Sequence, residues 1–323
     1  MNFKYRRKLK RVFAVVSAAI FLAGCGKGIP IVSEVPETKA YTKPQSMIIV
    51  ATERNRYQKV YSSQIWGVEL PDGGTFESYL LGQVKEFLHE MRMMNMLAEE
   101  KEITITSAEK EELRKLSEEY YKSLTEEDRA YIGADEDDVR TMYEEYFLSN
   151  KVVGELTKDM DLEISDSEAK VITVEEIVMS DQTTAADVWN EVNAEGADFS
   201  AIAREYSENS ETVRQMGRGE KAGAVEEAAF ALSTGEISEV VEEDGLYHII
   251  KCISDYDEDA TQARKDSLYY QRKQDAFGRI YKQFKADNPI TFDDEIWKDI
   301  SFSVSDKTET TNFFELYRQH FPG

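Results

Sequence analysis

The sequence predicts an α+β protein, mostly helical, with a compact strand–helix–strand module in its second half. Three observations carry that expectation. Over residues 75–160 apolar side chains recur at steps of three and four almost without a break, the period of buried helix faces. Over residues 171–253 two strand-like runs enclose three short helical ones, the content of a small α+β layer. A last long helical stretch, 261–285, follows and is stopped by Pro289. The 323 residues suffice for two domains, each with its own core.

Taken in order, the chain opens on Lys4, Arg6, Arg7, Lys8, Lys10 and Arg11 with no acid among them, then an apolar run over residues 12–22. Spanning a bilayer takes about 20 apolar residues, so this run is too short and suits the core of a secretory signal. It ends in Leu22-Ala23-Gly24-Cys25, which resembles the lipobox of bacterial lipoproteins. That resemblance implies removal of residues 1–24 and a diacylglycerol on Cys25. Each buried CH₂ contributes about 0.8 kcal/mol, so a multiply acylated cysteine anchors stably. Residues 25–46 mix Pro, Gly, Ser, Thr and charge without a period and read as a flexible tether. Residues 47–51 and 60–68 read as short strands around a polar turn.

Phe76, Tyr79, Leu80, Val84, Phe87, Leu88 and Met91 form the stripe of the next helix. Leu113, Leu116, Tyr120 and Leu124 line one side of residues 107–124. Val139, Met142, Tyr143, Tyr146, Phe147, Val153 and Leu156 continue the pattern through 135–160. Met91, Met93, Met94 and Met96 suit an adaptable binding face or a helical core, and the core is favoured. Residues 164–169 break the helix. Strand 171–179, helices 185–193, 199–206 and 225–232, and closing strand 247–253 follow. The tail from residue 301 is polar apart from Phe313, Phe314, Leu316, Tyr317 and Phe321, a cluster fit to dock on the body or to bind a partner.

Composition excludes several functions. Against 39 basic residues stand 63 acidic ones, a net charge of −24 that the loss of residues 1–24 deepens. Such a surface repels nucleic acid and anionic headgroups. Cys25 and Cys252 are the two cysteines, and His89, His248 and His320 lie far apart, so no disulfide framework, metal site or cofactor is expected.

Residues 197–207, Ala-Asp-Phe-Ser-Ala-Ile-Ala-Arg-Glu-Tyr-Ser, resemble the GADF-x-x-LA-x-x-YS segment of the parvulin prolyl isomerases. The resemblance continues through Ala228-Ala229-Phe230-Ala231-Leu232-Ser233-Thr234-Gly235-Glu236-Ile237-Ser238 and closes at Tyr247-His248-Ile249-Ile250-Lys251. A parvulin-type module behind a helical region, on a lipoprotein, is similar to the PrsA-like foldases, whose N-terminal region is related to that of SurA. The resemblance implies one helical chaperone domain, residues 47–165 with 259–300, and an inserted isomerase domain, 166–258, with a tail after 301. It implies unfolded or newly exported polypeptides as partners and the membrane through the lipid, and leaves a homodimer open.

The reaction of such a module is rotation about an X–Pro bond, against a barrier of about 18–20 kcal/mol. A site assists by seating the proline ring on an apolar floor and shielding the twisting amide from water. The family floor has a Met and a Phe, and its rim two histidines and a Cys or Asp. Here the first histidine falls on Glu176, the Cys or Asp on Asn209, the Met on Lys221 and the Phe on Val225. The usual Gly-Asp-Leu-Gly turn is shortened to Arg214-Gln215-Met216-Gly217, which leaves Met216 and Phe230 as further substrate-side candidates. His248 stands intact. Alternation places Ile172, Val174, Glu176 and Val178 on one strand face, and His248, Ile250 and Cys252 on one face of the closing strand. Glu176 is therefore expected to hydrogen-bond His248. A floor reduced to Val225 beside Lys221 predicts weak or lost isomerase activity in a membrane-anchored foldase. A fully active isomerase is the alternative. A solute-binding lipoprotein needs two lobes of alternating strands and helices, which residues 75–160 do not offer.

Overall fold

The computed structural model describes residues 37–71, 73–220, 223–302 and 307–322. It consists of two compact units, Met160–Asp275 and a second built from the described residues on either side of it.

The flanking unit is helical. After strand β1 (Glu37–Thr38) come α1 (Lys43–Tyr61), α2 (Phe76–Glu100), α3 (Ser107–Ser123), α4 (Glu126–Ile132) and α5 (Glu136–Thr157). Two readings are corrected here. The expected tether does not extend to residue 46: Tyr41 is buried and β1 pairs with β6 (Thr291–Phe292). The expected strands at 47–51 and 60–68 are the body of α1 and a 3-10 turn, Ser63–Gly67. A five-residue apolar run fits a buried strand or a buried helix equally. The local cap decides it: the Thr42 side chain accepts from Gln45 N, Gln45 returns a bond to Thr42 N, and Pro44 sits in the first turn. Ile48, Ile49, Val50 and Ala51 are then buried all round the helix.

The same reciprocal cap starts α2, α3, α4 and α5, at Thr75, Thr106, Thr125 and Asp135. Met91, Met93 and Met94 are all buried, so the methionines fill core. The aromatic tail also docks. Helix α11 (Phe313–His320) places Phe313, Phe314, Leu316 and Tyr317 in the main core, with Phe313 stacked on Tyr143 at 4.1 Å between ring centres. Among the described residues, no helix is long and apolar enough to cross a membrane. Cys25 and the rest of 1–36, including the expected signal peptide, lie outside the described residues.

The central unit begins with a short turn of helix, α6 (Asp166–Ala169), and carries a four-stranded antiparallel sheet of order β3-β2-β5-β4. Its strands are β2 (Val171–Met179), β3 (Val213–Gly217), β4 (Val241–Glu243) and β5 (Leu246–Ser254). Helices α7 (Gln182–Val192) and α8 (Phe199–Tyr206) cover one face with a core of Ile177, Met179, Val188, Phe199, Ile202 and Ile249. Helix α9 (Ala224–Ala231) covers the other, over Ile172, Val174, Met216, Val225, Phe230 and Ile250. The stretch expected as a shortened turn is thus the edge strand β3. Helix α10 (Glu258–Asp287) starts three residues before its expected start, and its last turns, from Ala276, belong to the helical unit.

Candidate functional site

Strand β2 is buried on both faces, so alternation alone decides where each polar side chain goes. Residues 172, 174, 176 and 178 face α9. Pairing carries that face outward on both sides: Val178 stands opposite His248 and Glu176 opposite Ile250 on β5, while Val174 stands opposite Arg214 and Ile172 opposite Met216 on β3. Glu176, His248, Arg214 and Met216 therefore share one surface. Glu175 goes to the other face, where Ser200 and Thr212 hydrogen-bond its carboxylate.

The carboxylate of Glu176 is bonded at both oxygens. His248 Nδ1 lies 2.7 Å from Oε1, and Arg214 Nε donates to Oε2 at 2.8 Å. Burial pushes this carboxyl up, but the hydrogen bond to His248 and the charge and bond of Arg214 outweigh it and hold the acid below its ordinary range. Glu176 and His248 are nearly covered, with side chains 8% and 12% exposed, whereas Arg214 remains 39% exposed. At neutral pH the arrangement is a fixed carboxylate oriented between an imidazole and a guanidinium.

The other expected site residues are placed differently. Asn209 is exposed on the loop that Glu208 N, bonded to Val178 O, and Thr212 O, bonded by Glu176 N, fasten to β2. Its side chain makes no hydrogen bond to Glu176 or His248. Met216, Val225 and Phe230 form a continuous apolar floor, larger than Val225 alone. Each is already buried, at 4%, 5% and 9% exposure. The guanidinium of Arg218 sits 4.1 Å from the centre of the Phe230 ring, and Lys170 Nζ 6.0 Å from it. Lys221 lies outside the described residues. Burying a group of proline's size contributes about 1.5–2 kcal/mol only if apolar surface is open to receive it, and these three side chains offer little.

Arg214 was missed by sequence reasoning because it fell in the presumed turn. Its signal is a short alternation: Arg214 and Met216 point to one face while Val213 stands exposed on the other.

The family model described as "Rotamase: PPIC-type PPIASE domain" matches residues 174–254. A crystal structure of the peptidylprolyl isomerase PrsA from Bacillus cereus aligns at 25% identity with a TM-score of 0.37, covering 77% of this chain and 97% of that one. Foldase protein PrsA of Caldanaerobacter subterraneus is 27% identical over 271 residues, covering 76% of this chain and 82% of its own. Foldase protein PrsA 3 of Bacillus anthracis is 32% identical over 228 residues, covering 62% of this chain and 75% of its own.

Proposed function

The chain belongs to the PrsA family of foldases, with its peptidyl-prolyl isomerase domain, and on that premise we propose that it acts mainly by holding exported polypeptides. Unfolded polypeptides are its substrates, as the family implies. The helical unit holds them, the lipid on Cys25 keeps the protein at the outer face of the cell membrane, and the isomerase module turns over proline weakly.

The observation that supports weak turnover is the state of the site. The position of the family's first histidine holds Glu176, both of whose oxygens are engaged, over a floor of Met216, Val225 and Phe230 that is already covered. A proline ring finds no open seat there. One observation favours the fully active alternative: the Glu176–His248 bond keeps a polar pair where the family has one. Holding has its own support in charge. A surface at least as acidic as the net −24 of the full chain attracts basic unfolded segments over about a Debye length, 8 Å at physiological salt, and keeps the complex soluble.

Aggregation of a chemically unfolded secreted protein, followed by light scattering with the full chain at increasing ratios, tests the reading. Suppression is expected, and to the same degree in Glu176→Gln/His248→Ala. No suppression, or its loss in that double variant, would overturn the proposal.

A further inference from the structure

We propose that Arg214 makes this face of the sheet a receptor for a carboxylate, carried by an extended client segment as an acidic side chain or as a free C-terminus. The inference depends on the preceding reading only in that client chains visit this module.

Arginine presents five N–H donors in a rigid planar fork. Here one of them, Nε, is used: it donates to Glu176 Oε2 at 2.8 Å. Among the described residues, the two amino groups at the far edge, Nη1 and Nη2, donate no hydrogen bond, and the side chain is 39% exposed. That edge presents two parallel N–H groups, on which a carboxylate can sit with both oxygens side by side. Neutralising Glu176 would not by itself require a fork left mostly unused.

The fork is also held still. Glu176, 8% exposed, is itself fixed by His248 at 2.7 Å, and the three strands that carry these groups, β3, β2 and β5, are paired with one another. Much of the side-chain entropy that a free arginine would lose on binding is therefore already lost, which favours affinity. Because the guanidinium charge is delocalised over its three nitrogens and Glu176 meets only Nε, the outer edge keeps positive character.

Two competing ligands fit less well. A proline ring needs open apolar surface, and Met216, Val225 and Phe230 are covered. A neutral amide can accept these bonds but brings no negative charge of its own, so it lacks the Coulomb attraction that a carboxylate adds against the guanidinium. The overall negative charge slows the approach of acids from a distance. Salt screens that field beyond about 8 Å, so discrimination is set at contact.

The test uses the full chain and three N-acetylated alanine pentapeptides: one with a central Glu and an amidated C-terminus, its Gln counterpart, and one without Glu whose C-terminal carboxylate is free. Binding is read from the Nε–H resonance of Arg214 and by calorimetry. At least one carboxylate peptide is expected to bind about tenfold or more tighter than the Gln peptide, the scale of one charge-assisted bond. Which of the two binds identifies the source. The preference should vanish in Arg214→Ala. That variant leaves Oε2 of a buried carboxylate without its partner, so Arg214→Ala/Glu176→Gln is measured beside it. Equal binding of all three peptides, or a preference that survives in the double variant, would overturn the inference. If that happens while aggregation suppression persists, the foldase reading stands and this one alone fails.

Discussion

Asp128 and Glu176 are both carboxylates almost wholly out of water, at 1% and 6% exposure, yet their partners differ in kind. Asp128, in the helical unit, takes the backbone N–H groups of Glu309 and Thr310 at 2.8 and 3.1 Å and the hydroxyl of Thr125 at 2.8 Å. Nearby, Arg54, with no exposed surface, donates to Phe302 O and Thr308 Oγ1, and Asn55 donates to Thr310 O. Every partner belongs to the chain's own fold, and most lie in the C-terminal segment. Glu176, in the sheet unit, is bonded by two side chains, one of which reaches the surface. A buried charge satisfied by backbone closes a structure. One satisfied by a half-exposed arginine arranges a group for something outside. The C-terminal segment is therefore an integral part of the helical unit, since releasing it would leave Arg54 and Asp128 without these partners and uncover five large apolar side chains.

That contrast can be broken at several points. The largest effect is expected from Phe313→Ala, which removes a fully buried ring stacked on Tyr143 and edge-on to Tyr120. It should cost about 3–5 kcal/mol, seen as early melting of the helical unit in thermal unfolding. A tail that merely rests on the surface would give less than about 1 kcal/mol. Asp128→Ala should cost about 2–3 kcal/mol in urea unfolding, because it leaves two tail N–H groups unpaired and removes half of the α4 cap.

The smallest effect is a pH dependence at His320, the last residue of helix α11. His320 lies between two carboxylates of α3, with Nδ1 2.7 Å from Glu112 and Nε2 3.0 Å from Glu119, and Lys115 competes for Glu112 at 3.1 Å. Burial works against its charge, but the bonds to Glu119 and Glu112 outweigh this and raise its pKa above the ordinary 6.5. A raised histidine stabilises fully below its unfolded pKa and loses that contribution as pH rises through the folded value. His320→Gln should therefore lower the urea midpoint at pH 6 and progressively less above pH 6.5. The difference should be a few tenths of a kcal/mol, because the site is partly solvated. An equal difference at pH 6 and pH 9 would exclude the mechanism.

Legibility followed the range of the interactions. Residues 171–179 and 199–206 were readable to their ends because period and flanking turn residues agreed. The Glu176–His248 contact was readable because alternation fixes which face a strand residue takes. Helix α1 was misread because Ile48 to Ala51 carry no period, although the spacing of Thr42, Pro44 and Gln45 held the answer locally. The spacing of Phe313, Phe314, Leu316 and Tyr317 fits a helix, but their seat among Tyr120, Tyr143 and Tyr146 comes from segments about 170–190 residues away, where no local rule reaches. Arg214 was hidden for a related reason: a five-residue edge strand is too short for its period to outweigh a presumed turn.

The central claim, that this family member keeps the fold of an isomerase but little of its turnover, meets its most direct test in exchange NMR on an Ala-Pro peptide with the full chain. The uncatalysed exchange takes tens to hundreds of seconds. The account predicts a rate close to that, and the same rate in His248→Ala. Acceleration to the rates typical of active parvulins, lost in His248→Ala, would contradict it.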